Sequence, residues 1–253
     1  MSESVKANSA AAFAAVIPAF APDSTLVGLV RELAAVFPRI IVVDDGSAAG
    51  REVFDRLEES PVTTVLRHAI NRGKGAALKT AMKYVLERAP EISGIVTVDA
   101  DGQHLCADAE RVASAAVENP DRLILGVRDF GRGVPFRSRF GNLWTRAEFR
   151  LLTGAAVGDT QSGLRALPRS LLSVALAIAG ERYEYEIREL VHFARAGRVK
   201  EIPISTVYAP GNPTSHYRVL RDTWLTQSAL FAAAFTRRNF FCNHSGCRSY
   251  KEV

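Results

Sequence analysis

Apolar residues in the first hundred positions come in short runs, separated by longer stretches with helical spacing. Phe13 to Ile17 is one such run, broken by Pro18-Ala19-Phe20-Ala21-Pro22 before a helix pattern from about Asp23 to Phe37. Arg39 to Val43 is almost entirely β-branched, which predicts a strand covered on both faces, as a parallel sheet requires. Thr63 to Arg67 predicts a third strand, Gly75 to Arg88 a helix, and Gly94 to Val98 a fourth strand. This alternation predicts an α/β fold, a Rossmann-like, doubly wound, mostly parallel sheet with flanking helices. Phe136, Phe140, Leu143, Trp144, Ala147 and Leu151 recur at helical spacing among arginines 128, 132, 137, 139, 146 and 150, which predicts an amphipathic helix with a basic face. Leu220, Trp224, Phe231 and Phe235, followed by Arg237-Arg238, predict a C-terminal surface helix. The expected organisation is a disordered N-terminus over 1–12, one domain over 13–215, an amphipathic helix over 216–238 and a flexible tail over 239–253.

In doubly wound sheets ligands bind at the carboxyl ends of the strands, near the switch in strand order. The chemically unusual residues fall at those ends: Pro18, then Asp44-Asp45, then Asn71-Arg72-Gly73-Lys74-Gly75, then Asp99 and Asp101. If the chain stays extended past the fourth strand, Asp99, Asp101 and Gln103 share a side. Three hard oxygen donors suit Mg²⁺ or Mn²⁺ that also holds phosphate oxygens; the competing reading is that Asp101 or Asp108 caps the next helix. Asp44-Asp45 suits a base or ribose contact, or a simple turn. Gly73-Lys74-Gly75 matches neither a P-loop nor a dinucleotide fingerprint, since position 68 is His, position 75 is Gly and position 78 is Leu. It leaves a helix N-terminus with a lysine, an anion site or a tight turn.

Composition narrows the partners. The 253 residues are 47% hydrophobic and 23% charged, ordinary for a globular chain, with a net charge of +5 that favours an anionic partner. Cys106, Cys242 and Cys247 form no disulfide framework and fit a reducing compartment. Cys242, His244 and Cys247 lack a fourth zinc ligand nearby. Ser9 to Phe20 reads as a first strand rather than a leader, and no apolar run nears the roughly 20 residues of a bilayer span. The arginines lack the interleaved aromatic platform of a single-stranded nucleic-acid binder, so no nucleic-acid partner is expected.

Taken in order, Val16-Ile17-Pro18-Ala19-Phe20, Ile41-Val42-Val43-Asp44-Asp45-Gly46-Ser47, Asn71-Arg72-Gly73-Lys74-Gly75-Ala76 and Val98-Asp99-Ala100-Asp101-Gly102-Gln103-His104 resemble family 2 glycosyltransferases of GT-A fold. Within that family the chain is similar to the branch of dolichyl- and polyprenyl-phosphate sugar synthases. Asp159-Thr160-Gln161-Ser162-Gly163-Leu164-Arg165, Tyr183-Glu184-Tyr185-Glu186, Glu201-Ile202-Pro203-Ile204 and Ser215-His216-Tyr217 extend the match, which spans roughly 13–222. The resemblance implies a donor pocket of Pro18, Ala19 and Asp45 with Lys74 beside it. It further implies a metal-binding pair, Asp99 and Asp101, joined by Gln103, a donor or metal contact at His216, and lipid-phosphate contacts at Arg128, Arg139 and Arg137. Asp159 stands where the family places a base or acceptor-positioning residue; with Asp101 it makes up the expected catalytic pair. Phe20-Ala21-Pro22-Asp23 departs from the family's Tyr-Asn-Glu-like continuation in the first loop.

The function so implied is metal-dependent, inverting transfer of a hexose from a UDP- or GDP-sugar to a polyprenyl or dolichyl phosphate. A lipid phosphate is already ionised near neutral pH and needs no general base, unlike a hydroxyl acceptor. The basic amphipathic helix suits an anionic bilayer, so a peripheral position on the cytoplasmic face of a membrane is expected, with room for a separate membrane partner protein. The alternatives are the same fold glycosylating a hydroxyl of a glycan or lipopolysaccharide, with Asp159 as a true base, and a non-catalytic nucleotide or nucleic-acid binding module.

Overall fold

The computed structural model describes residues 10–128 and 136–205, and of residues 136–142 the backbone alone. His216, the C-terminal helix and tail, Cys242, Cys247 and the side chains of Arg137 and Arg139 lie outside the described residues. Ala10–Ala12, expected to fall in a disordered N-terminus, form a 3-10 turn with Ala10 buried.

The predicted alternation is present with small shifts at the ends. β1 (Phe13–Ala19), α1 (Thr25–Ala34), β2 (Arg39–Asp44), α2 (Arg51–Glu58), β3 (Thr63–Arg67), α3 (Lys74–Arg88) and β4 (Gly94–Thr97) follow in turn. Then come α4 (Cys106–Val117), β5 (Leu123–Arg128), α5 (Phe136–Thr153), β6 (Arg165–Pro168), α6 (Arg169–Ala177), α7 (Glu184–Arg195) and β7 (Val199–Ile204). The seven strands are ordered β3-β2-β1-β4-β6-β5-β7. β6 alone is reversed, pairing antiparallel with both β4 and β5.

Strand residues alternate between two cores. Ala14, Val16, Ile41 and Val43 meet α3, α6 and α7, whereas Ala15, Ile17, Ile40 and Val42 meet α1, α2 and α4. α3 lies close to β1 and β2 because its buried side is small: Ala76, Ala77 and Ala81 beside Leu78 and Met82.

Two placements set up the site. β1 has β2 on one side and β4 on the other, which puts the switch point between β1 and β4, next to Asp99. β6 runs against its neighbours, so its first residue, Arg165, pairs with the last of β4, Thr97. The chain entering β6 thereby reaches the same edge as the chains leaving β4, β5 and β7.

Candidate active site

The extended geometry expected after the fourth strand stops at Thr97. Asp99 to Gln103 form a turn, with Gly102 at φ +70° and the Gln103 amide donating to Asp101 Oδ1 at 3.1 Å. Asp99 and Gln103 still reach one cleft, but through this turn and not through strand alternation. The cleft is lined also by His104, Arg128, Gln161, Ser162, Gly163, Ile204 and Ser205. Asp101 is not among its lining residues; its carboxylate shapes the turn that presents Gln103. Neither Asp101 nor Asp108 caps α4: Leu105 holds that position, and Asp108 is buried, accepting the Ser205 amide at 2.8 Å. Among the described residues no three His, Cys, Asp or Glu side chains converge as a metal site.

Lys74 lies between two carboxylates, 2.6 Å from Asp99 Oδ1 and 2.8 Å from Glu186 Oε2. Burial works against the charge of Asp99, but the Lys74 ammonium, with His104 and Arg165, more than offsets it and leaves the carboxyl at about 2. Burial likewise works against the Lys74 charge, and Asp99 and Glu186 together raise its pKa above the ordinary lysine value.

Asp45 delivers this lysine. Its carboxylate accepts the amides of Arg72 at 2.9 Å and Gly73 at 2.7 Å and pairs with His68 Nδ1 at 2.7 Å, while His68 Nε2 meets Thr80 Oγ1 at 2.9 Å. Three contacts of this buried carboxylate go to the protein, so Asp45 clamps the loop that carries Lys74, at the strand end where a base or ribose contact is expected. Nor is the α3 N-terminus an open anion site. Ala76 donates to Glu181 O at 2.8 Å, and a Cβ on Gly75 would stand 2.5 Å from Tyr185 Cβ. The two glycines flank Lys74 because Arg182 and Tyr185 press on them.

Pro18 and Ala19 end β1 at this edge, half-buried and buried. The Asp45 amide donates to Ala19 O at 2.9 Å and that of Ala21 to Ser47 Oγ at 2.8 Å, joining the first two loops. Ala21 has φ +46°, a conformation that Asn or Gly adopts more easily, and it falls where the sequence departs from the family that it resembles.

Across the cleft, Asp159 is fully buried and grips Arg128 with both oxygens, at 2.6 Å from Nε and 3.0 Å from the terminal nitrogen. The Gln161 amide adds a third contact at 3.0 Å. A planar fork held this way keeps a guanidinium aimed at one place. A free base this carboxylate is not.

Behind the cleft lies a buried polar network. Arg165, 2% exposed, donates to Ser162 O, Glu186 O and Glu189 Oε2, and Tyr185 donates its hydroxyl to Glu189 Oε1 at 3.1 Å. Burial raises the Glu189 carboxyl, partly countered by Arg165, and burial with Glu189 pushes the Tyr185 phenol well up. For this network the sequence carried one signal, two glutamates, Glu186 and Glu189, on the apolar side of the α7 helix pattern. For His68, which directly follows Arg67 at the end of β3, it carried none.

An α/β sheet of this order, with acidic, lysine and arginine side chains at its switch point, has the architecture of a GT-A glycosyltransferase. Mannosyl-3-phosphoglycerate synthase from Rubrobacter xylanophilus shares the fold at a TM-score of 0.64 and 18% identity, over 87% of this chain and 72% of that one. The sequence model of glycosyl transferase family 2 matches residues 14–174, and the chain belongs to that family. An uncharacterized protein of Methanocaldococcus jannaschii is 32% identical over 200 residues, 76% of this chain and 80% of that protein. The UDP-N-acetylglucosamine–dolichyl-phosphate N-acetylglucosaminyltransferase of Methanococcus voltae is 30% identical over 216 residues, 76% of this chain and 84% of that protein.

Proposed function

We propose that the protein transfers a hexose, with inversion, from a UDP- or GDP-sugar to a polyprenyl or dolichyl phosphate at a membrane surface. The observation that carries this reading is Arg128, a guanidinium fixed by buried Asp159 and lining the same cleft as Asp99. An arginine fixed at the wall of that cleft suits an anionic, phosphate nucleophile. The Methanococcus voltae relative, named for a dolichyl-phosphate acceptor, supports the same choice.

The acceptor phosphate is ionised, so its oxygen attacks the anomeric carbon without a base. Arg128 aligns it, and the Lys74 ammonium stands ready to balance charge on the departing nucleoside diphosphate. Asp99 and Gln103, which line the cleft, are hard oxygen donors of the kind that would hold Mg²⁺ or Mn²⁺, with Asp101 in the turn between them as the third donor the motif offers. An ion held there would supply Lewis-acid stabilisation of the leaving diphosphate.

The membrane contact is drawn from α5. Phe149 docks this helix on the core, while Leu143 (63%), Trp144 (64%) and Leu151 (84%) are exposed, with Arg146 and Arg150 beside them. An outward apolar stripe with flanking arginines fits an anionic bilayer. No helix among the described residues is long and apolar enough to cross a membrane.

Transfer of labelled sugar by the purified chain, supplied with Mn²⁺ and UDP- or GDP-sugars, tests the reading. We expect product with polyprenyl phosphate, loss of product with chelator, and none with the matching polyprenol. Transfer to the alcohol, or none to the phosphate, overturns it.

A further inference from the structure

His68 directly follows β3, and its side chain, only 6% exposed, ties together separate segments of the chain. Its amide donates to Asp44 O at 2.8 Å, which extends the pairing of β2 with β3 and fixes the backbone from which the ring projects. Nδ1 lies 2.7 Å from Asp45 Oδ1, just past β2, and Nε2 lies 2.9 Å from Thr80 Oγ1, in the body of α3. A ring nitrogen this close to a carboxylate carries a proton, so Nδ1 donates. A hydroxyl both donates and accepts, so Thr80 pairs with Nε2 in either charge state of the ring.

Asp45 passes the constraint on. Its Oδ1 also accepts the Arg72 amide at 2.9 Å, and its Oδ2 accepts the Gly73 amide at 2.7 Å. Gly73, at φ +108°, is a residue with wide conformational freedom, so contacts from outside must fix the direction in which the chain enters α3. Lys74 comes next. Its ammonium rides on a flexible four-carbon stem, so its place between Asp99 at 2.6 Å and Glu186 at 2.8 Å depends on where its backbone stands.

We propose that His68 is a positioning residue: it holds the Asp45 carboxylate against the Arg72 and Gly73 amides, and so sets where the Lys74 ammonium meets Asp99. The catalytic consequence rests on the reading above, in which Lys74 balances charge on the departing diphosphate; the placement of Lys74 does not. A ring that merely fastened β3 to α3 would depend on Thr80, whereas one that positions Lys74 depends on Asp45. Two substitutions separate these contacts. His68→Asn puts an amide N–H where Nδ1 stands and falls short of Thr80, while His68→Gln reaches as far as Nε2 and leaves Asp45 Oδ1 without its side-chain donor.

The test has two arms, both on the full chain. In the first, without substrate, acylation of Lys74 by sulfo-N-hydroxysuccinimide acetate is followed by peptide mass spectrometry, with exposed Lys83 as the internal reference. We expect Lys74 to react about tenfold faster in His68→Gln than in wild type and within about twofold of wild type in His68→Asn, because a shifted loop frees the ion-paired amine. In the second, transfer to polyprenyl phosphate, kcat should fall by about tenfold or more in His68→Gln and stay within about threefold in His68→Asn, with the acceptor KM steady in both. Each variant gives up one of two ring contacts, so their Tm values should fall alike and stability alone would not separate them. Equal acylation in the two variants, or faster acylation in His68→Asn, overturns the positioning role. Acylation as expected with an unchanged kcat in His68→Gln overturns the catalytic consequence. A wild-type chain that transfers no sugar overturns the reading above, and the acylation arm still decides whether His68 places Lys74.

Discussion

Four aspartates that look alike at the ends of apolar runs turn out to have different jobs, set by what surrounds each. Asp45 clamps a loop, Asp101 shapes a turn, Asp159 holds an arginine, and Asp99 faces the cleft against Lys74. Asp159→Asn should therefore act on acceptor binding: KM for polyprenyl phosphate rises by about tenfold as Arg128 loses a charged partner, with a smaller fall in kcat. Steady-state kinetics decide this, since a general base would show the reverse, a collapse of kcat. Asp99 sets a pH dependence. Its carboxyl falls from an ordinary 3.8 to about 2, so the folded state binds fewer protons than the unfolded one between these values. The stability it contributes is complete above about pH 4 and lost as pH falls through about 2. Urea melts of wild type and Asp99→Asn across that window should converge toward the acid end.

At the scale of elements, the sequence was most legible where local pattern and fold agree. β2 and β3 are continuous β-branched runs with Gly or Pro nearby, and their predicted spans differ from the observed ones by a residue at most. β6 was illegible because four residues containing Arg and Pro carry no strand pattern, and its reversed direction depends on distant neighbours. For α5 the spacing gave the apolar stripe but not its orientation. An ordinary docked helix turns that stripe inward, whereas here Phe149 is buried and Trp144 is outside. Arg165 is the element-level anchor, tying the start of β6 to α7. Arg165→Ala leaves Glu189 buried without its cation and should cost about 3–5 kcal/mol. Equilibrium urea unfolding measures it, and a loss below about 1 kcal/mol would show that the network adds little to the native state.

Across the whole molecule, the edge formed by the strand ends divides into a side that holds Lys74 and Asp99 and a side that holds Arg128, with the exposed stripe of α5 on one further surface. The residue types of that edge were readable in order along the chain; which of them touch was not, since the contacts join segments as far apart as Lys74 and Glu186. If α5 meets lipid as proposed, Trp144→Glu should reduce co-sedimentation with phosphatidylglycerol vesicles by about tenfold and leave Tm within about a degree, because an exposed side chain contributes little to folding. A marked fall in Tm would instead mean that protein covers the stripe.

The reversal of β6 has one more consequence. The short stretch of chain that enters it carries Asp159, which holds Arg128, and Ser162, which lines the cleft, only three positions apart. One heptapeptide, ending in buried Arg165, thus shapes two walls of the same cleft. A descendant or an engineer who rewrites that heptapeptide to reshape either wall will find the other moving with it.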